Sequence, residues 1–376
     1  MIRKQRANNI DVKKINKSAI FRAIFENEIL SNQDIATMLS ISVPTVLQNV
    51  KELLEAGLVQ EVGEFQSTGG RKAKAIAPIP NAKMAIGIDI TQNHVGIVIV
   101  NLAGQVLNHK RMYVPFSCTQ EYFYNLGEML VDFIEQEHAQ KENILGVGLS
   151  IPGIIDQTKT QINYSHILGL SNMPCSKFSE YIPYPCTFIN DANAAGFAEL
   201  RNRYTIHNAI YLSLSNSVGG AILLGDNLYL GENQRSGEFG HNAVVPNGKP
   251  CYCGKNGCLD AYCSAKVLTK HTDGKVAVFF EKLEEKDVFC QRIWNEYLDY
   301  LAVAVNNLRM TFDCDIIVGG YIGGYLDDYL ESLRKRLALL NTFEQDGTYL
   351  QVCQYKLEAS ATGAALQFID AFVDNL

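Results

Sequence analysis

Residues 251–258 read Cys251-Tyr252-Cys253-Gly254-Lys255-Asn256-Gly257-Cys258. Three thiolates within eight positions, with Gly254 and Gly257 letting the loop fold back sharply, match three corners of a tetrahedral metal site. The fourth ligand is expected from a nearby histidine, and His241 stands ten residues before Cys251. Three Cys and one His leave no open coordination position, so the expected ion is a structural zinc and not a hydrolytic centre. A bare thiol cluster is the alternative. Cys263 is close in sequence and reads as a buried spectator. The other seven cysteines are scattered through the 376 residues. That density is too low for a disulfide scaffold and fits a reducing compartment.

Working outward, Glu238-Phe239-Gly240-His241 sits just before the cysteines. A histidine that gives one ring nitrogen to a metal can donate its other N–H to a bound hydroxyl. Glu238 can accept from one or two more hydroxyls, and Asp260 is expected to reach the same space. Further upstream, Asn190-Asp191-Ala192-Asn193 follows the apolar run Cys186–Ile189 and opens a helix of small residues. At a strand end, Asn190 and Asp191 are good hydroxyl-binding groups, and Asp191 could serve an alcohol as general base. Taken singly, each acid could also be a solvated surface group or a helix cap.

The surrounding pattern is α/β. Ala85–Ile90, Val95–Val100 and a run through Val106 read as strands separated by turns, followed by a helix over 119–139 and a strand over Ile144–Ile151. The later half repeats this with strands Ala209–Leu214 and Gly219–Leu224, a turn at Asp226-Asn227, helices over about 264–309 and a strand at Asp315–Val318. Two such halves imply a cleft between them. The stretch from Asn208 to Gly225 has no charge in 18 residues, but its central Ser213, Ser215, Ser217 and Gly219-Gly220 read as strand–turn–strand and not as a membrane span. The polar N-terminus carries no apolar signal segment, so a soluble cytoplasmic protein with no membrane partner is expected. Apolar residues at 47% and charged residues at 19% exclude a disordered tail, a collagen-like rod and a long coiled coil.

Residues 1–80 differ from the rest. They carry a formal charge of +3, against −10 for residues 81–376. Ser18 is expected to cap a first helix, Ser31 with Asp34 a second, and Ser42 with Pro44 a third that runs to about Ala56 before Gly57. The last two helices and their tight bend form a helix-turn-helix, whose second helix can enter a major groove. Val43, Thr45, Gln48 and Asn49 would face base edges, while Lys51 suits a phosphate. A hairpin around Thr68-Gly69-Gly70-Arg71-Lys72 resembles a wing, with Arg71 and Lys72 at its DNA-touching tip.

Together these residues resemble the ROK family of repressors, open reading frames and sugar kinases. The resemblance covers essentially the whole chain. It implies a two-lobed actin-like/hexokinase-like ATPase fold carrying an N-terminal winged helix-turn-helix. It also implies that Asn190, Asp191, Glu238, His241 and Asp260 bind sugar hydroxyls, while His241, Cys251, Cys253 and Cys258 hold zinc. Asp260 stands where the family carries Glu, and Ser150–Gly153 resembles the loop that closes over the sugar. The organisation expected is 1–80 for the DNA-binding module, 81–190 for a first lobe completed by a helix within 359–376, and 191–358 for the second lobe.

The kinase branch of that family needs two glycine-rich loops for phosphates, because phosphates need converging backbone N–H groups and room. Where the first loop would read Asp-x-Gly-Gly-Thr, this chain has Asp89-Ile90-Thr91-Gln92-Asn93. Where the second would read Gly-Thr-Gly-x-Gly-Gly, it has Ser215-Asn216-Ser217-Val218-Gly219-Gly220. The expectation is a sugar-responsive transcriptional regulator, an operator-binding homodimer or homotetramer without ATP or magnesium. The alternatives are a sugar kinase with Asp191 as base, or a DNA-binding protein whose body contacts other proteins.

Overall fold

The structure, a computed structural model, describes residues 9–65, 73–201, 203, 206–225 and 227–376. Arg71 and Lys72 of the expected wing tip, and Asp226 of the expected turn, lie outside the described residues.

Three helices open the chain: α1 (Asn9–Asn27), α2 (Asn32–Leu39) and α3 (Val43–Glu55). Ser31 and Asp34 form a reciprocal capping box on α2, and Ser42 caps α3 with Pro44 in its first turn. Gly57 ends α3 with φ +67, the left-handed conformation that costs glycine least. β1 (Val59–Glu64) and β2 (Lys74–Pro78) pair antiparallel as the wing, and Leu30 exchanges both backbone hydrogen bonds with Ile76 on the other edge of β2. Ile20, Ile24, Ile35, Val46, Leu53 and Ile76 close the core of this head.

The sequence expectation for α1 was too short. The helix starts nine residues before Ser18, and Ser18 lies inside it, donating its hydroxyl to Val373 O at 2.7 Å. A buried serine in a helix interior needs such a partner, here supplied by the far end of the chain. Val12 and Ile15 are exposed on the early turns, so the apolar period that marks a helix is absent there.

The first lobe is a five-stranded sheet of order β10-β6-β3-β4-β5. β3 (Met84–Ile90), β4 (His94–Asn101) and β5 (Val106–Tyr113) form an antiparallel meander, and β6 (Ile144–Ile151) and β10 (Cys186–Asn190) extend it in parallel. Alternation along β3 decides the layers. Met84, Ile86, Ile88 and Ile90 pack with α4 (Gln120–Gln136) on one face. Ala85, with Val98 and Val100 of β4, packs on the other against α13 (Ala359–Asp374). Gly87 and Gly148 admit the α13 backbone so closely that any Cβ there would collide with the carbonyls of Ala361 and Ala364. A small sheet of β7 (Ile154–Ile155), β8 (Gln161–Ser165) and β9 (Leu170–Pro174), followed by α5 (Ser176–Ser179), is inserted before β10.

The second lobe has the order β13-β12-β11-β14-β15. β11 (Ala209–Leu214) and β12 (Val218–Leu224) form the hairpin within the uncharged stretch; β13 (Asn227–Leu228) adds to it, and β14 (Asp315–Gly319) and β15 (Leu350–Val352) run parallel to β11. Among the described residues no helix is long and apolar enough to cross a membrane. Helices α7 (Asp260–Cys263), α8 (Ala265–Thr269), α9 (Val276–Glu284), α10 (Val288–Phe312), α11 (Gly320–Gly323) and α12 (Leu330–Leu340) complete the lobe. Trp294, Leu298, Leu301, Val305 and Leu308 make the buried face of α10. Between the lobes runs α6 (Asp191–Arg201), whose Ala194 carbonyl meets Gly363 of α13 and whose Gly196 fits against Tyr211 and Ala221.

Candidate functional site

α6 starts directly where β10 ends, so Asn190 and Asp191 stand at a strand's carboxyl end and a helix's amino end together. Asn190 Oδ1 accepts the Asn193 N–H at 3.0 Å, capping the helix, and its Nδ2 donates to Gly153 O at 3.0 Å. Much of the Asn190 amide is thereby used to hold the 152–154 loop against α6. Asp191 projects into a cavity of about 530 Å³ also lined by Glu238, His241, Gly153 and Gln234. That volume suits a small ligand.

The charges in this cavity are unusual. Burial pushes the Asp191 carboxyl up to about 7, helped by the negative Asp89 and Glu238 nearby. Burial likewise raises Asp89 to about 6, against the hydroxyl that Ser150 donates at 2.9 Å and the Arg111 guanidinium. Glu238 is raised by burial and held back by His241 and Arg235. Carboxyls that ionise reluctantly in a cleft are the mark of a functional site.

Next to Glu238, His241, Cys251, Cys253 and Cys258 bring one ligand atom each to within 4.8 Å of one another. Cys253 Sγ lies 3.7 Å from Cys258 Sγ, and Cys251 Sγ 3.9 Å from His241 Nδ1. Thiolates at the corners of a tetrahedral zinc site stand about 3.8 Å apart, so the donor set and its spacing suit a metal ion. Gly254 and Gly257 both take φ +83, which is how the loop turns its sulfurs inward. Cys263 lies outside the cluster, buried with its sulfur toward Tyr297 O. Because Nδ1 faces the sulfurs, His241 Nε2 is left toward the cavity, 3.3 Å from the Tyr252 hydroxyl and 4.0 Å from Glu238 Oε2.

Asp260 departs from its expected place. It is buried, accepts the Val218 N–H at 2.7 Å, and does not line the cavity. One methylene shorter than glutamate, its carboxylate stops at the backbone of β12 and fixes the turn before it.

The cleft continues past Asp191 into a much smaller space of about 70 Å³, bounded by Asp89, Thr91, Gln92, Ser215, Asn216 and Tyr321 among others. Thr91 closes a tight turn, donating its N–H to His94 O and accepting the His94 N–H on its hydroxyl. Ser215 accepts the Tyr321 N–H at 3.3 Å. Glycines kept nearby have packing neighbours: a Cβ on Gly220 would collide with Phe239 and one on Gly319 with the Tyr211 ring, while one on Gly219 would sit tightly against Ala192.

A ROK family sequence profile matches residues 85–371. The chain belongs to the ROK family. A winged helix-turn-helix DNA-binding profile matches residues 14–60 in addition. Among characterised relatives, the xylose repressor of Bacillus subtilis (strain 168) is 26% identical over 387 residues, covering 98% of this chain and 99% of that one. The DNA-binding transcriptional dual regulator NagC of Escherichia coli (strain K12) is 26% identical over 256 residues, 67% of this chain and 63% of that one. Among solved structures, a ROK family transcriptional regulator described as a homologue of the E. coli MLC protein superposes with a TM-score of 0.76 at 19% identity, covering 97% and 98% of the two chains. A ROK family glucokinase from Streptomyces griseus covers 76% of this chain and 98% of its own, with a TM-score of 0.64 at 22% identity. The likeness to the glucokinase omits the head; the likeness to the regulator includes it.

In the head of this ROK protein, Gln48 and Lys51 are exposed on α3, and Val43 and Thr45 are half-exposed at its start. The Thr45 hydroxyl also meets the Ser42 cap at 2.8 Å. Asn49 contradicts the sequence expectation. It is buried and donates to Thr45 O, because it falls beside Val46, Val50 and Leu53 on the inner face. Leu47 takes the outward position instead, and the same helical period could have found it. In the cleft, sequence reasoning missed Tyr252, Tyr164, His166 and Arg235. Tyr252 had a signal, since a residue between two clustered cysteines must lie beside their histidine; the others are brought in by tertiary folding alone.

Proposed function

We propose that this ROK protein is a sugar-responsive transcriptional regulator, acting as a repressor. The α3 helix and wing bind operator DNA, and a sugar held by Asp191, Glu238 and His241 changes that binding. The observation that carries this reading is the pairing, in one chain, of a winged helix-turn-helix with a polyol-sized acidic cavity. The end-to-end similarity to a xylose repressor supports it. We take the metal at His241, Cys251, Cys253 and Cys258 to be zinc, whose part is to fix the loop and the orientation of the His241 ring. Asp191 and Glu238 then accept from sugar hydroxyls, and His241 Nε2 offers them an N–H. The small space beside Asp89 and Tyr321 supports a site without a triphosphate, and hence a regulator without kinase turnover. Operators of two-fold symmetry would be read by a homodimer or homotetramer in the cytoplasm.

For the sugar to act as inducer it must bind the DNA-releasing arrangement more tightly than the DNA-bound one. The test is a gel-shift or anisotropy titration of the full chain on its own promoter region, with and without neutral sugars. Release of DNA by sugar alone supports the reading; sugar-dependent ATP turnover with no DNA binding overturns it. Gln48→Ala should weaken specific binding by about 1–3 kcal/mol and non-specific binding far less. Equal losses on both DNAs would remove Gln48 from base readout.

A further inference from the structure

Two exposed aromatic rings, one from each lobe, meet on the wall of the cavity. His166 follows β8 of the small sheet in the first lobe, and Tyr252 sits in the cysteine loop of the second. Their rings stack with centroids 4.6 Å apart and planes 22° from parallel. Both line the same cavity as Asp191 and Glu238.

Each ring is held from behind. The Tyr252 ring lies edge-on to His241 at 5.3 Å, and its hydroxyl meets His241 Nε2 at 3.3 Å. His166 Nδ1 meets the Tyr164 hydroxyl at 3.3 Å. The backbone beside His166 is pinned by Ser165, a buried residue that donates to Pro152 O and accepts the Leu168 N–H. Two rings at stacking distance leave no room for a third group between them. A ligand therefore cannot extend between the two rings unless the pair opens.

The charges beneath the rings also select. Asp191 and Glu238 are acidic, while the cavity wall among the described residues contributes one guanidinium, Arg235, already drawn toward Glu238. A phosphate dianion placed there would be repelled by either carboxyl once ionised, with one guanidinium to offset it.

We propose that the His166–Tyr252 stack is a cross-lobe clasp that makes the effector a neutral monosaccharide. It disfavours sugars whose second ring would have to pass between the two rings, and it ties ligand enclosure to the approach of the two lobes. This rests on the proposed sugar site.

The test uses calorimetry on the full-length protein with D-xylose, D-glucose, xylobiose, maltose and glucose 6-phosphate. The wild type should bind one monosaccharide at least about tenfold tighter than its disaccharide and its phosphate. His166→Ala should narrow the monosaccharide-to-disaccharide ratio to about threefold or less, and His166→Phe, which keeps a stacking ring, should restore it. A general loss of folding would lower both affinities and leave their ratio unmoved. An unchanged ratio in a His166→Ala protein that keeps the wild-type melting temperature and monosaccharide affinity, or a phosphate that binds more tightly than its parent sugar, overturns the clasp while leaving a sugar site in place. Failure of the wild type to bind any of the five overturns the site reading as well.

Discussion

The two ends of the interlobe cleft share β10, α6 and the β11–β12 hairpin, yet they leave very different amounts of space. At the cysteine-loop end, side chains stand back from about 530 Å³ lined by Asp191, Glu238 and His241. At the Tyr321 end, side chains and a tight turn leave about 70 Å³. There the hydroxyls of Thr91 and Ser215 accept backbone N–H groups of the protein itself. The first end leaves room for a small ligand, and the second is largely occupied by the protein's own side chains. Glycines persist at the filled end because neighbouring side chains and backbone press on them, so glycine in a loop is no proof of a phosphate.

The largest expected effect comes from removing the metal end. Cys253→Ser should drop the bound zinc from one per chain to none by atomic absorption and lower the melting temperature by about 10 °C. Retained metal would show that the four donors do not act as a set. Next is Glu238→Gln, which should weaken sugar binding by about 10–100-fold in calorimetry, the range for losing hydrogen bonds to a charged acceptor. Unchanged affinity would take Glu238 out of the sugar site.

A smaller effect follows from Asp191. Its folded-state value of about 7 lies above the ordinary carboxyl value of 3.8, so between those limits the folded protein holds a proton that the unfolded chain has lost. Stability from this group is greatest at low pH and declines as pH rises from about 4 to about 7. Asp191→Asn should flatten that part of the melting-temperature profile, leaving the slope that Asp89 contributes. An identical slope in the variant would mean that Asp191 ionises normally. The smallest effect belongs to the filled end: millimolar Mg-ATP should move the melting temperature by less than about 1 °C, since a ligand without a site stabilises nothing. A shift of several degrees would erase the contrast between the two ends.

Much of this was legible in the sequence because the relevant signals are local. The Ser31/Asp34 box, the Ser42 cap and Gly57 each act over a few residues, and the structure has them in those roles; it also gathers His241, Cys251, Cys253 and Cys258 into a cluster that could hold a metal. Asn49 was misplaced because its residue type suggested base contact while its helical phase put it inside. Ser18 looked like a helix start because its true partner, the Val373 carbonyl, is at the other end of the chain. Asp260 has the right charge at the right spacing, but its carboxylate is engaged by the Val218 N–H, a tertiary contact with no local sequence signal. His166 carried no sequence signal at all, since its meaning comes from a ring on another lobe.

The seating of α13 over Gly87 and Gly148 bears on how the polypeptide matures as it leaves the ribosome. β3 and β6 emerge early, but the helix that seals their outer face is translated after the entire second lobe. Ala85, Val98 and Val100 therefore stay open to water through most of synthesis. So does part of the head, whose Phe21 shares a cluster with Ile369 and Val373. A nascent chain with bare sheet faces of this kind is a natural client for a chaperone.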